Sequence, residues 1–422
     1  MEAHGRHHGD APRQRAGAGA AQARVLSTVS TAFRIKDVRA YTVKPSDKAG
    51  TYFKPGESKH WLVDTLIANP MSGYARYREK RSSWGIGVLG AIVVEIETED
   101  GTVGVATGSG GAPAAWMIHH HFRRFLIGED ARKTNMLWDQ LYRSSLPYGR
   151  KGLPVMAISC VDLALWDLIG KVRGEPVYNL IGGMARDEIT FYCTTPEPAA
   201  IKALGFWGAK VPLPHSHFEG EEGLRKNVEF LARHRADVGP DYPLMVDCYM
   251  SLTAGYAIRL AKAAEHLNIH WWEEVLSPED VDGYRAIKAA HPYLKWTTGE
   301  HEYTRYGFRA LIEQGSLDIL QPDVMWVGGL TETLRIAAHA SAHDLPVVPH
   351  GSGPYSYHFI ASQTGPAFCE YVAASPDGKT IMPVFGDLFE GEEMPENGRL
   401  KLSDAPGFGM TLADRASLEI VR

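Results

Sequence analysis

Leu244-Met245-Val246-Asp247, His270-Trp271-Trp272-Glu273, Trp296-Thr297-Thr298-Gly299-Glu300, Ile319-Leu320-Gln321-Pro322-Asp323, Pro346-Val347-Val348-Pro349-His350 and Ala367-Phe368-Cys369-Glu370 are six short, mostly apolar runs. Each ends on an ionisable side chain, and successive closing residues stand 20 to 27 positions apart. A gap of that size holds a strand of about five residues, a loop and a helix of about 12. Helical patterns fill the gaps at Gly255–His266, Val281–Ala290, Arg305–Gln314, Leu330–Ala342 and Tyr355–Thr364. The rhythm predicts parallel strand–helix units. Because the ionisable residue always follows the strand, all six belong at the carboxyl end of a barrel, where the active sites of such barrels lie.

Upstream, Glu188–Thr194 reads as the first barrel strand and Trp207–Val211 as the second, ending in Lys210-Val211-Pro212. Before them the pattern changes. Phe33–Val43, Val88–Glu97 and Thr102–Thr107 alternate like strands, the last two joined by the hairpin turn Glu99-Asp100-Gly101. Helical patterns follow at Pro113–Ile127, Lys133–Tyr142 and Ala157–Gly170. These elements predict an α+β domain over residues 33–185, ahead of a barrel over 186–390. Residues 391–422 are expected to pack back on the first domain. Residues 1–32 are rich in Ala, Gly, His and Arg without apolar periodicity and read as a disordered tail. Between the first two strands, residues 44–87 form a segment too long for an ordinary connection. It carries Trp61, Tyr74, Tyr77 and Trp84 beside Arg76, Arg78, Lys80 and Arg81. The bland reading is a solvated basic face. The functional one is a lid offering cations to an anionic substrate.

At 422 residues the chain suits a barrel plus a second domain. The formal net charge of −6 argues against nucleic acid as a partner. No run of 18 or more consecutive apolar residues predicts a membrane span. Cys160, Cys193, Cys248 and Cys369 are scattered in apolar segments without C-x-x-C spacing, so buried free thiols in a cytoplasmic, reducing compartment are expected.

Asp247, Glu273 and Glu300 close three consecutive strands. Three converging carboxylates repel unless a cation joins them, and an oxygen-only set suits one Mg²⁺. The bland alternative is three separate surface acids, which the regular spacing disfavours. Glu274 adjoins Glu273, and strand alternation points it to the opposite face. Asp323 and His350 close the next two strands, where a carboxylate can fix the tautomer of an imidazole and raise its basicity. Glu370 faces them from the last strand. A metal beside a strong base suits removal of a proton next to a carboxylate and, with a hydroxyl on the β-carbon, dehydration.

Several stretches resemble the enolase superfamily and, within it, the L-rhamnonate dehydratase subgroup. They include His60-Trp61, Asn69-Pro70-Met71-Ser72, Ser159-Cys160-Val161-Asp162-Leu163-Ala164-Leu165-Trp166-Asp167-Leu168 and Gly299-Glu300-His301. Gln321-Pro322-Asp323-Val324, Val348-Pro349-His350-Gly351-Ser352, Pro395-Glu396-Asn397-Gly398-Arg399 and Pro406-Gly407-Phe408-Gly409 extend the likeness, which runs from about Phe33 to Leu412. The resemblance implies a modified (β/α)₇β TIM barrel under an α+β capping domain. It implies Mg²⁺ on Asp247, Glu273 and Glu300, His350 as base oriented by Asp323, and Glu370 as the acid that stabilises the enolate. Substrate contacts are implied for Arg81 and Glu370, with His60, Lys210 and His301 as further candidates, and a homo-oligomer, as large as an octamer, is implied too. Many superfamily members place a second lysine where this chain has Pro212, so one face of the substrate lacks a base, which argues against a racemase. The lid histidine of the subgroup, upstream of His60-Trp61, is absent from Tyr52-Phe53-Lys54-Pro55.

The expected activity is dehydration of a sugar acid, L-rhamnonate first, with L-lyxonate and L-mannonate as rivals of the same configuration near the carboxylate. Two other classes stay open. A metal-dependent hydrolase would want histidines at the end of strand one, where Ile189–Thr195 has none. A non-catalytic sugar-acid-binding barrel has no need of six polar strand ends.

Overall fold

The computed structural model describes residues 30–44, 60–78, 86–365 and 368–421. The first body is an antiparallel sheet of β1 (Ile35–Val43), β2 (Ala91–Thr98) and β3 (Val103–Ser109). Apolar alternation buries Ile35, Val38, Ala40 and Val43 on the face that meets the helices. The second strand starts later than the pattern suggests, because Ile86–Leu89 curls into a 3₁₀ turn. Three helices follow: α1 (Gly111–His120), α2 (Thr134–Ser145) and α3 (Leu153–Arg173). The single helix expected over Pro113–Ile127 breaks at His121 and resumes as the 3₁₀ turn Phe122–Phe125.

Helix α3 starts at Leu153 with Pro154 in its first turn, where the missing N–H is tolerated, and stops at Gly174 with φ +67°. It is 21 residues long and apolar enough to cross a membrane by length and composition. Since 83% of its apolar window lies inside the fold, it is a core helix between the sheet and the second body.

The second body is a parallel barrel. Its strands are β4 (Ile189–Thr194), β5 (Gly208–Pro212), β6 (Leu244–Asp247), β7 (Trp272–Glu273), β8 (Trp296–Thr298) and β9 (Ile319–Leu320). Stretch 347–350 continues the order through the single bridges Leu320↔Val347 and Asp323↔His350. The last strand, β10 (Phe368–Val372), pairs in parallel with β4. Between the strands run α4 (Pro198–Ala203), α5 (Gly220–Val238), α6 (Ala254–Ala263), α7 (Val281–Ala290), α8 (Thr304–Glu313), α9 (Gly329–Ser341) and α10 (Pro354–Ser362). This is the modified (β/α)₇β barrel with an N-terminal α+β cap that the sequence predicts.

The C-terminal segment divides its contacts. β11 (Arg399–Leu400) pairs antiparallel with β4 of the barrel, whereas β12 (Leu418–Ile420) adds a fourth strand to the cap beside β1. Between them, Gly407 lies against α3, and Phe408 N–H donates to Asp167 Oδ1 at 3.1 Å.

All four cysteines are buried and free, as expected from their apolar surroundings.

Candidate active site

Backbone strain gathers where the barrel strands end. Tyr249 and Met250 follow β6, Glu274 follows β7, and Ser352 follows His350, all with φ between 42° and 65°. Non-glycine residues in that region cost energy and persist where packing imposes them, which is common at functional sites. Gly299, at φ +145°, brings Glu300 inward. A Cβ there would stand 2.9 Å from backbone atoms of Gln321.

The register Asp247↔Glu273 sets the first two acids side by side, and Glu300 joins them from the end of β8. One carboxylate oxygen from each of the three lies within 4.8 Å of the others. Glu273 is held by the Lys210 ammonium at Oε1. At Oε2 it accepts from Trp271 Nε1 at 3.0 Å and Gln321 Nε2 at 2.7 Å. Asp247 Oδ1 accepts from Tyr249 N–H at 2.9 Å. Glu300 Oε2 is buried without a hydrogen bond. Burial pushes the Glu273 carboxyl up to about 7 against the pull of Lys210, and pushes Glu300 to about 8 against His350. Asp247 is raised by burial as well, opposed by Lys210. An orphaned oxygen and three converging acids, two buried and one half-buried, that resist ionising together are what a hard divalent cation would relieve, so the residues fit Mg²⁺. A second grouping, Glu274, Glu300 and His301, shares one acid with the first. There His301 Nδ1 is already engaged by Glu274 Oε2 at 2.8 Å.

Across the cluster, His350 Nδ1 meets Asp323 Oδ2 at 2.8 Å. The other oxygen of Asp323 accepts from Ser352 Oγ at 2.8 Å and from Met325 N–H at 2.8 Å. With both oxygens committed, Asp323 cannot rotate and fixes the ring tautomer with the proton on Nδ1. The free nitrogen, Nε2, stands 3.3 Å from Glu300 Oε2 without the alignment of a hydrogen bond. Burial alone lowers the imidazole, but Glu300, Glu370 and Asp323 outweigh it and hold His350 well above its ordinary range.

Glu370 faces His350 from β10. Its Oε1 accepts from Thr194 Oγ1 and lies 2.8 Å from Lys210 Nζ, while Oε2 accepts from Gly351 N–H at 2.8 Å. Burial would raise this carboxyl, but Lys210 and His350 prevail and hold it at about 2. Lys210 has no exposed surface and also lies 3.9 Å from Asp247 Oδ2. It therefore reaches the cluster as a buried counter-ion between Glu273 and Glu370, where the sequence suggested a substrate contact. At the end of the same strand, Pro212 pairs with Asp247 and offers no base.

The other candidates fall differently. His60 caps the short helix Trp61–Asp64: its Nδ1 accepts from Leu62 N–H at 3.2 Å, and its Nε2 is 3.2 Å from Ala374 O. With Trp61 Nε1 donating to Ala373 O at 2.8 Å, it ties this segment to the end of β10. His301 lies between Tyr249 and Trp326 with centroid distances of 5.1 and 5.6 Å. Burial opposes its protonation, yet Glu274 and Glu300 raise it to about 9. Arg81 and Tyr52–Pro55 lie outside the described residues, as does most of the 1–32 tail.

Sequence reasoning turned Glu274 away from the site, and the structure corrects this. At φ 42° the alternation of the strand has ended, and the buried Glu274 carboxylate turns onto His301. Thr194, Gln321 and Trp326 were also missed. Gln321 carried a signal, standing two residues before Asp323 and so on the same side of the strand.

Comparison with known proteins adds a family and its relatives. Residues 86–182 match the mandelate racemase/muconate lactonizing enzyme N-terminal domain, and residues 198–416 match the enolase C-terminal domain-like family. The chain is 47% identical over 386 residues to the L-rhamnonate dehydratase of Saccharopolyspora erythraea, covering 91% of this chain and 98% of that protein. A crystal structure of rhamnonate dehydratase from Gibberella zeae complexed with Mg is similar at a TM-score of 0.90 and 58% identity. That match covers 92% of this chain and 97% of the other. The 3,6-anhydro-D-galactonate cycloisomerase from Zobellia galactanivorans is more distant, at a TM-score of 0.72 and 29% identity over 90% of this chain and 97% of its own.

Proposed function

The chain belongs to the enolase superfamily, and on that footing we propose that it is a Mg²⁺-dependent hydro-lyase that dehydrates L-rhamnonate to 2-keto-3-deoxy-L-rhamnonate. The observation that carries this reading is the Asp247, Glu273 and Glu300 group, within 4.8 Å, with His350 Nε2 3.3 Å from Glu300. A base directed at a cation-binding cluster suits abstraction of a proton beside a carboxylate.

Asp247, Glu273 and Glu300 hold the ion. When bound, Mg²⁺ supplies a Lewis acid that offsets the negative charge developing on the substrate carboxylate. His350 takes the C2 proton at Nε2, while Asp323 keeps Nδ1–H in place and stabilises the imidazolium. Returning that proton to the departing C3 hydroxyl expels water, and the resulting enol tautomerises to the ketone. Glu370, kept ionised by Lys210, orients the substrate and does not donate the proton. With Pro212 in place of a second base, the chemistry is one-sided. Arg81 binds the substrate from the lid in this reading, and His60 anchors the lid's base.

We also read the chain as a tail (1–32), a cap (33–185), a barrel (186–390) and a C-terminal segment (391–422). The pairing of β12 with β1 supports the return of that segment to the cap. Four free buried thiols favour a cytoplasmic protein, and the family favours a homo-oligomer; light scattering tests the latter.

The test is incubation with L-rhamnonate, L-lyxonate or L-mannonate and Mg²⁺, reading 2-keto acid. L-rhamnonate should turn over fastest. His350→Asn should abolish turnover while Mg²⁺ still binds. Retained activity in that variant would remove the base from the mechanism.

A further inference from the structure

The ring of His350 has a hydrogen-bonded anchor, Asp323, and a tilted aromatic neighbour, Trp326. The indole of Trp326 lies 5.5 Å from the imidazole at 44°, and 5.6 Å from His301 at 49°. Trp326 is 6% exposed and packs with Val155 and Met156 of the cap helix α3. Its Nε1–H donates to Ser109 Oγ of the cap strand β3 at 3.2 Å.

The turn that carries Trp326 is gripped from the same side. Gly328 N–H donates to Ser159 Oγ at 2.8 Å, and Gly328 O accepts from Trp138 Nε1 at 2.7 Å. Thr331 N–H donates to Asp162 Oδ2 at 2.9 Å, and Thr331 Oγ1 accepts from Trp166 Nε1 at 2.9 Å. Gly329 has φ +82°, and a Cβ there would stand 2.5 Å from Asp162 Oδ2, so the backbone is pressed onto the cap carboxylate. Helices α2 and α3 thus hold residues 328–331. That turn begins at Asp323, whose carbonyl accepts from Trp326 and Val327 N–H at 3.0 and 2.8 Å.

We propose that the cap positions the base of the barrel: Trp326, held by Ser109 and by the Ser159, Asp162 and Trp138 grip on its turn, is a positioning residue for His350. The inference rests on the reading of His350 as the base. Asp323 stops the ring from sliding away, and the indole stops it from swinging about that single hydrogen bond. Both are carried on one turn, so a shift of the turn displaces both supports together. A misplacement of about 1 Å at a reacting group can cost on the order of 100-fold in rate. The role differs from a substrate contact, because it acts through the orientation of Nε2.

The experiment uses the full chain with Mg²⁺ and L-rhamnonate, unlabelled and deuterated at C2. Trp326→Leu and Ser159→Ala should lower kcat by about 10- to 100-fold, leave KM within about threefold, and raise the C2-deuterium isotope effect on kcat, because proton abstraction becomes slower. Trp326→Phe, which keeps an aromatic wall, should recover most of the rate. Wild-type kcat in Trp326→Leu overturns the proposal. So does a loss carried by KM with an unchanged isotope effect. If Ser159→Ala fails to fold, the Trp326 pair decides alone. His350→Asn run alongside separates the two failures: turnover in that variant refutes the base reading, whereas a dead His350→Asn beside an unimpaired Trp326→Leu refutes only the positioning role.

Discussion

Asp323→Asn changes one atom and leaves the shape of the site unaltered. Asp323 Oδ1 accepts two hydrogen bonds, from Ser352 Oγ and Met325 N–H, so an asparagine must keep its oxygen on that side. Its amide NH₂ is then forced toward His350 Nδ1, 2.8 Å away. An NH₂ only donates, so Nδ1 must become the acceptor and the ring proton moves to Nε2. The nitrogen directed at the cluster then carries a proton and can no longer accept one. General-base catalysis contributes about 10²- to 10⁴-fold, or roughly 3 to 5 kcal/mol of barrier. We expect kcat for 2-keto acid formation to fall by that factor, with Mg²⁺ affinity and KM close to wild type. Nitrogen-15 NMR of the histidines should show the His350 tautomer exchanged. Turnover within a few-fold of wild type, with the tautomer shown to have switched, would refute the reasoning.

Further expectations concern the carboxylates and their supports. Without metal, Glu273 and Glu300 titrate near 7 and 8, and His301 near 9, all above their ordinary values. The folded state therefore holds protons that the unfolded chain has released, so stability falls as pH rises from about 4.5 to 9, first through the glutamates and above 6.5 through His301 as well. Thermal melts in a chelator should show Tm dropping across that window, and Mg²⁺ should restore it at the alkaline end; a flat or rising Tm would contradict the assignment. For the same reason the apparent Mg²⁺ affinity should climb as pH passes through 7 to 8, which calorimetry can read. Gly299→Ala introduces a Cβ against the Gln321 backbone at φ +145°. It should cost about 1–3 kcal/mol in chemical denaturation and weaken Mg²⁺ binding by displacing Glu300; unchanged binding would mean that the neighbouring strand yields.

The barrel was legible because six of its runs ended on ionisable residues 20 to 27 positions apart, and the helical periodicity between them was clean. The convergence of Asp247, Glu273 and Glu300 and the Asp323–His350 pair followed from that spacing. Residues whose roles depend on how neighbouring strands pack were not legible. Lys210 was only a candidate substrate contact by resemblance, and the fold alone places it, fully buried, between Glu273 and Glu370. Glu274 was misassigned because alternation applies only while the backbone stays extended, and it does not at φ 42°. Trp326 carries no local signal, since nothing in the neighbouring sequence records that helices of the cap grip its turn. The expected return of residues 391–422 to the cap carried no finer detail, because the choice of residues 399–400 for β4 and 418–420 for β1 is tertiary.

The pairing of residues 418–420 with β1 bears on biosynthesis. Tyr41 finds its partner Ile420 only after the residues of the whole barrel have left the ribosome. Until then the outer backbone groups of β1 form an open strand edge, a template for joining another chain. The cap can gather its helices early, but its sheet gains this strand only after the barrel is made. Nascent chains stalled inside the barrel should therefore depend on chaperones more than the finished protein does.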